Sequence, residues 1–222
     1  MTQPHESRLV GALLVQTVTT GLIDAVSYLA LGHVFTANMT GNIVFLAFAI
    51  AGAPGLSIPR SAVSLGAFLA GAVAGGRLAA RRATGPQHRW VATAFAVEAG
   101  LLFAAALAAA GTRALIFTAY GVIVLTALAM GVRNATVRTI ALPDLTTTVL
   151  TLTLTGLAAD SPFAGGNNPR AGRRGASVLS MFVGAAVGAL LVRHSLVLPL
   201  VVSGVVSSSC ALAVARTPSA PG

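Results

Sequence analysis

The chain carries little charge. Only 9% of its 222 residues are Asp, Glu, Lys or Arg, against roughly 25% in a soluble domain. With 55% hydrophobic side chains, it cannot cover a globule with polar groups, which excludes a water-soluble fold. Lysine is absent, and all 14 basic residues are arginine. There is one cysteine, Cys210, so a disulfide framework and a thiolate metal centre are excluded. Cys210 lies inside the last apolar run and reads as a small buried hydrophobe. The sequence has no His/Cys/Glu cluster at metal spacing, no G-x-S-x-G elbow and no phosphate-cradling glycine loop. It also lacks a serine–histidine or paired-aspartate set for intramembrane proteolysis. The expectation is a protein that is not an enzyme and has no metal or cofactor.

The net charge of +9 raises nucleic acid as a partner. The arginines sit between apolar runs rather than on one face, however, and no aromatic-rich basic element accompanies them. Nucleic acid is set aside, and the charge is read as topological.

What is present is apolar sequence in long runs. Stretches of spanning length, about 20 residues, cover 9–31, 61–80, 90–110, 114–132, 175–192 and 196–215. The first is longer than a signal-peptide core and contains Asp24, so it is read as a retained span. Two further stretches, 43–56 and 145–159, are too short to cross and read as re-entrant or half-helix segments. Arginine placement arbitrates between models. If all eight stretches cross, the arginines divide seven against seven. If six cross with the N-terminus inside, Arg8, Arg77, Arg81, Arg82, Arg89, Arg133, Arg138, Arg170, Arg173, Arg174 and Arg216 are cytoplasmic. Only Arg60, Arg113 and Arg193 are then outside. The expected fold is an all-α integral membrane protein, one membrane domain over 1–222, with six transmembrane helices, two short re-entrant or broken segments and both termini cytoplasmic. The stretch 160–174 is expected to be a flexible, basic cytoplasmic loop.

The halves repeat. GLIDAVSYL, FTANMTGN and FLAGAVAG in 9–110 are answered in order by GVRNATVR, TTTVLTLT and FVGAAVG in 114–215. Pairing Asp24 with Asn134, Thr40 with Thr151, Gly71 with Gly184 and Gly75 with Gly188 gives offsets of 110, 111, 113 and 113. Three spans per half place the second repeat the other way up, a recurrent plan of secondary transporters.

GLIDAVSYLALGHVFTANMTGN (21–42), the glycine-bearing third segment and GVRNATVR with its threonine run together resemble the YoaK-like family of bacterial multi-pass membrane proteins. The resemblance runs over about 9–215, and FTANMTGN is its sharpest element. It implies an integral inner-membrane protein of a family without an assigned activity, at times taken for transporters, and it supplies no substrate. In the second half Thr151 is followed by Leu152, where the family pattern suggests a glycine.

Asp24 lies roughly 6 Å past the middle of the first span. An ionised carboxylate there costs at least ~2.5 kcal/mol, so it must face the bundle with a partner or a proton. Gln16, Thr20, Asp24 and Tyr28 recur every four residues, a stripe that either lines a cavity or bonds neighbouring helices. Glu98 sits near the centre of its span, and Arg133, read at the end of the next, is an available ion partner. The pair is either a structural lock or a proton-carrying carboxylate. Asn38, Thr40, Gly41 and Asn42 precede the first short helix. Thr40 or Asn42 is a candidate cap, and a half-helix N-terminus at mid-membrane attracts anions or carbonyl groups. Asn134 and Thr151 are their second-half counterparts, and the two breaks are expected to meet. Gly71, Gly75, Gly184 and Gly188 allow close helix packing, between halves or between copies in a homo-oligomer. His33 and Trp90 read as interfacial anchors.

The function expected is a transporter-like protein for an unidentified small solute, with the lipid bilayer as partner. Proton coupling through Asp24 is one version. The alternative is a membrane scaffold or accessory protein, and water access to Asp24 and the two breaks discriminates between them.

Overall fold

The computed structural model describes residues 4–81, 86–111, 115–145, 147–148 and 150–216. Arg82, Arg113, Ala114, Thr146 and Val149, used in the arginine balance and the repeat, lie outside these. The regular elements are α1 (Pro4–Ala30), α2 (Met39–Ile50), α3 (Ile58–Arg81), α4 (Gln87–Ala110), α5 (Leu115–Ile140), α6 (Thr151–Ala159), α7 (Ala171–Val192) and α8 (Val197–Ala215). A 3-10 turn at Pro162–Ala164 follows α6. Six of these helices are long and apolar enough to span a bilayer. At 1.5 Å per residue, α2 and α6 reach only about 18 and 14 Å, short of a hydrocarbon core of roughly 30 Å.

Three boundaries differ from the sequence reading. α5 runs on through Arg133 and Asn134 to Ile140, so Arg133 lies within the bundle and leaves the topological arginine balance. A charge there does not end the helix, because Glu98 neutralises it. α2 starts at Met39, which puts Thr40, Gly41 and Asn42 inside its first turns. α6 starts at Thr151, and the chain before it, with buried Leu145, Thr147 and Thr148, packs inward as a loop.

α1, α4, α5 and α8 form the centre. α4 lies against both α5 and α8, and α8 also lies against α1. Outside them, α3 packs along α5 and α7 along α1, with α2 seated on α3 and α6 on α7. Each half therefore sends its third helix to the other half's first. Glycine makes both crossings. A Cβ on Gly71 would run into the Leu128 carbonyl, and one on Gly131 into the backbone of Phe68 and Ala72. At the other crossing, Gly184 meets the Val18 carbonyl and Gly21 the backbone of Met181 and Ala185. Gly75 on Val132 and Gly188 on Leu22 extend the contacts one turn. The four glycines singled out by spacing thus sit between halves of one chain.

Two apolar clusters fill the bundle. Leu13, Trp90, Val91, Phe95, Val137 and Val214 belong to one. Ile23, Val26, Leu102, Ile123, Met130 and Leu200 belong to the other. Trp90 is buried and is a core residue rather than an interfacial anchor. The segment 160–174 is tied down rather than flexible. Arg174 Nη1 donates to Asp160 Oδ2 (2.7 Å) and to the Gly156 carbonyl (2.7 Å), its Nε donates to Asp144 Oδ1 (3.0 Å), and the Asn168 amide donates to the Asp160 carbonyl (2.9 Å).

Candidate functional site

Between the two apolar clusters lies a polar layer. Arg133 and Glu98 are both 0% exposed and form an ion pair. Arg133 Nε donates to Glu98 Oε2 (2.9 Å), and Nη2 donates to Oε1. Nη1 donates to the Gln16 carbonyl (2.7 Å) and to Thr20 Oγ1 (2.6 Å). Ser207 Oγ donates its one proton to Glu98 Oε1 (2.8 Å), with Gln16 Oε1 at 3.3 Å as the longer branch of the contact. The planar guanidinium fork matches the two carboxylate oxygens and leaves donors for a third helix. One constellation thus ties α1, α4, α5 and α8 together.

One turn beyond Thr20, Asp24 receives the Ala37 amide and lies within electrostatic range of Arg133. Its Oδ1 is buried without a hydrogen-bond partner. Tyr28, the last member of the stripe, stacks on Phe35 (centroids 5.2 Å), which stacks on Phe45 (5.6 Å), with His33 edge-on to Tyr28 (5.1 Å). Gly41 leaves room for the Phe35 ring, which a Cβ would press upon.

The two breaks face one another. Asn38, Thr40, Gly41, Thr148, Leu150 and Thr151 line one crevice of about 330 Å³. Asn38 and Leu150 hold the N-cap positions of α2 and α6, and neither supplies a side-chain cap. The first-turn N–H groups of both helices thus present their partial positive charge at this level. Thr148 also lines a larger cavity of about 850 Å³ between α3, the end of α5 and the chain 141–148, with Asn134, Arg138 and Asp144 on its wall.

The structure therefore brings Glu98 and Arg133 together, and brings Asn38, Thr40 and Gly41 to the crevice with Thr151. Asn134 lies on the adjoining cavity, where it accepts a hydrogen bond from Thr148 Oγ1 (2.7 Å). Asp24 lines neither space. Asn42 is not a cap and points away. Its Oδ1 accepts from the Phe35 amide (2.8 Å), and its Nδ2 donates to Ser64 Oγ (3.2 Å), which pins the chain entering α2 to α3. Sequence reasoning missed Ser207, Thr148, Arg138 and the Arg174 cluster. For Ser207 a signal existed, since Ser203 and Ser207 recur one turn apart on one face of α8, whose other polar residues are Ser208 and Ser209.

Six spanning helices, two short ones and a buried polar centre define a multi-pass helical membrane protein. Residues 12–213 match the family described as protein of unknown function DUF1275, and the chain belongs to that family. It is similar to the UPF0700 transmembrane protein YoaK of Bacillus subtilis (strain 168), at 34% identity over 143 residues. The match covers 64% of this chain and spans 63% of the length of that relative. No solved structure matches the chain.

Proposed function

We propose that the protein carries an unidentified small solute across the bacterial inner membrane, with both termini cytoplasmic. The cycle is non-enzymatic; proton coupling through Asp24 is one version of it, and the place of Asp24 outside both spaces counts toward a scaffold instead. The observation that supports this reading is the crevice at which the first turns of α2 and α6, one from each half, come together. Half-helices that end inside the membrane at a shared polar space are how many secondary transporters hold solute near the midplane. We read 9–110 and 114–215 as inverted repeats. Gly71 on Leu128 has its counterpart in Gly184 on Val18, and Gly131 on Phe68 has its counterpart in Gly21 on Met181. The cavity beside α5 is open, whereas Tyr28, Phe35 and Phe45 stack at the corresponding place beside α1, an asymmetry suited to a carrier open to one side. A scaffold is the second reading, supported by the Glu98–Arg133 centre, which lines neither cavity.

Uptake tests the reading. Strains lacking or overproducing the protein should differ in accumulation of at least one solute across a broad panel. With that solute in hand, Asp24→Asn should abolish accumulation driven by a pH gradient while membrane abundance stays at the wild-type level. An amide keeps much of the hydrogen bonding of a carboxylate but carries no proton at working pH. Full accumulation by Asp24→Asn would remove proton coupling, and no solute difference in any strain would favour the scaffold.

Orientation has its own test in a Cys210→Ala background. Phe163 is fully exposed beyond α6, and Ala53 follows α2 at the opposite end of the bundle. Phe163→Cys should be shielded from an impermeant thiol reagent in intact cells and labelled after permeabilisation. Ala53→Cys should be labelled directly. The reverse pattern would invert the topology.

A further inference from the structure

We propose that the 850 Å³ cavity beside α5 binds a small water-borne organic carboxylate with a short apolar body, and that Arg138 is the residue that selects its charge. This deepens the transport reading above and rests on it for the purpose of the site. The volume falls in the range of small-molecule pockets, roughly 300–1,000 Å³. Phe68, Leu142 and Leu145 supply an apolar wall, and Asn134 Nδ2 keeps one N–H beyond its bond to the Met130 carbonyl. The Thr139 and Thr148 hydroxyls already donate to the Ala135 carbonyl and Asn134 Oδ1, which leaves Arg138 as the principal donor.

The charge on the wall decides the ligand's sign. The cavity's one carboxylate, Asp144, is already taken by Arg170 (2.8 Å) and Arg174 (3.0 Å). Arg138 also lines the cavity, is exposed, and has no acidic partner among the described residues. An anion therefore meets an unmatched guanidinium, with Asp144 held away by two others. The inner end of the cavity adds the same sign, because Thr148 joins it to the crevice at the uncapped first turns of α2 and α6. A cation would be repelled at both ends.

The chain contains its own comparison. The offset of 110 that pairs Asp24 with Asn134 pairs Tyr28 with Arg138. In the first half that position stacks on Phe35 instead of carrying charge. The cation thus belongs to the half whose cavity is open. The rim is polar, with the Arg173 guanidinium at the Pro143 carbonyl (3.5 Å), and this fits a ligand arriving from water.

The test uses the full chain in detergent and in nanodiscs, with sodium benzoate as the probe and benzamide as its uncharged isostere. Benzoate should raise the unfolding temperature in a saturable way and benzamide should not. Arg138→Gln should weaken benzoate binding by about tenfold or more, the size of a lost hydrogen bond between charged groups. Arg138→Lys should recover much of it. Because Arg138 is exposed, the unfolding temperature without ligand should not move in either variant, which separates loss of the site from loss of the fold. Equal binding of benzoate and benzamide, undiminished binding by Arg138→Gln, or no binding of either would overturn the inference. So would benzoate binding that phosphatidylglycerol nanodiscs abolish and phosphatidylcholine nanodiscs permit, since the occupant would then be an anionic lipid. Proteoliposome uptake keeps the two readings apart. Binding of benzoate without accumulation of any carboxylate sinks transport and leaves the anion site standing. Accumulation of an uncharged solute without carboxylate binding does the reverse.

Discussion

Arg133→Leu, with Glu98 left in place, is expected to remove most of the protein from the membrane fraction. The substitution strips Glu98 of both guanidinium bonds, and at 0% exposure water cannot replace them. Breaking a buried pair from one side costs about 3 to 5 kcal/mol, a large share of a typical total of 5 to 15 kcal/mol. Glu98→Leu should be as damaging, because Arg133 keeps only the Gln16 carbonyl and Thr20 Oγ1 as acceptors. The double variant Glu98→Leu/Arg133→Met should regain most of the loss, since it removes both charges and fills the space with apolar atoms. Abundance by fluorescence-detected size exclusion and thermal unfolding in detergent measure all three. Singles as stable as wild type would mean that the ion pair does not hold the four central helices together.

The glycine crossings should give the next largest effect, and one that depends sharply on position. Gly184→Ala puts a Cβ into the Val18 carbonyl, and Gly131→Ala puts one into the backbone of Phe68 and Ala72. Backbone cannot step aside as a side-chain tip can, so the helices must separate. Overpacking of this kind costs about 1 to 3 kcal/mol, and valine should be worse. Gly66→Ala and Gly100→Ala, in the same kind of helix, meet nothing within 4 Å and should be neutral or stabilising by up to about 1 kcal/mol through better helix propensity. A melting series in which all four alanine variants behave alike would show that close approach at α3–α5 and α1–α7 does not matter.

Long apolar runs made the six spans legible, because hydrocarbon thickness leaves a composition signal that needs no knowledge of neighbours. The lone charges were legible for a similar reason. Glu98 in an apolar helix demands a partner, and few residues could serve. Polar residues misled at the boundaries. Arg133 and Asn134 look like the edge of a membrane, but their groups are satisfied by Glu98, Gln16, Thr20 and Thr148, so α5 continues through them. Thr40, Gly41 and Asn42 look like a loop, yet Asn42 bonds back to Phe35 and α2 begins before it. The Arg174 cluster gathers Asp144 from the chain before α6 with Gly156 and Asp160 from the end of α6. A local reading of 160–174 could see only turn residues and positive charge there. Arg138 was counted for topology and passed over as a site residue, because the cavity it borders exists only once α3 lies along α5.

The exchange of third helices bears on how the molecule is made. α3 leaves the ribosome with its glycine face complete, but the ridge of Leu128 and Val132 that fills this face belongs to a helix not yet synthesised. α1 waits longer still, since the glycines that close on Val18 and Leu22 belong to the penultimate helix. Neither glycine face finds its partner within its own half. The α3–α5 contact can form only once α5 is made, and the α1–α7 contact only once α7 is made. A chain halted after α4 would leave the Gly71 and Gly75 face of α3 and the Gly21 face of α1 without their partner helices.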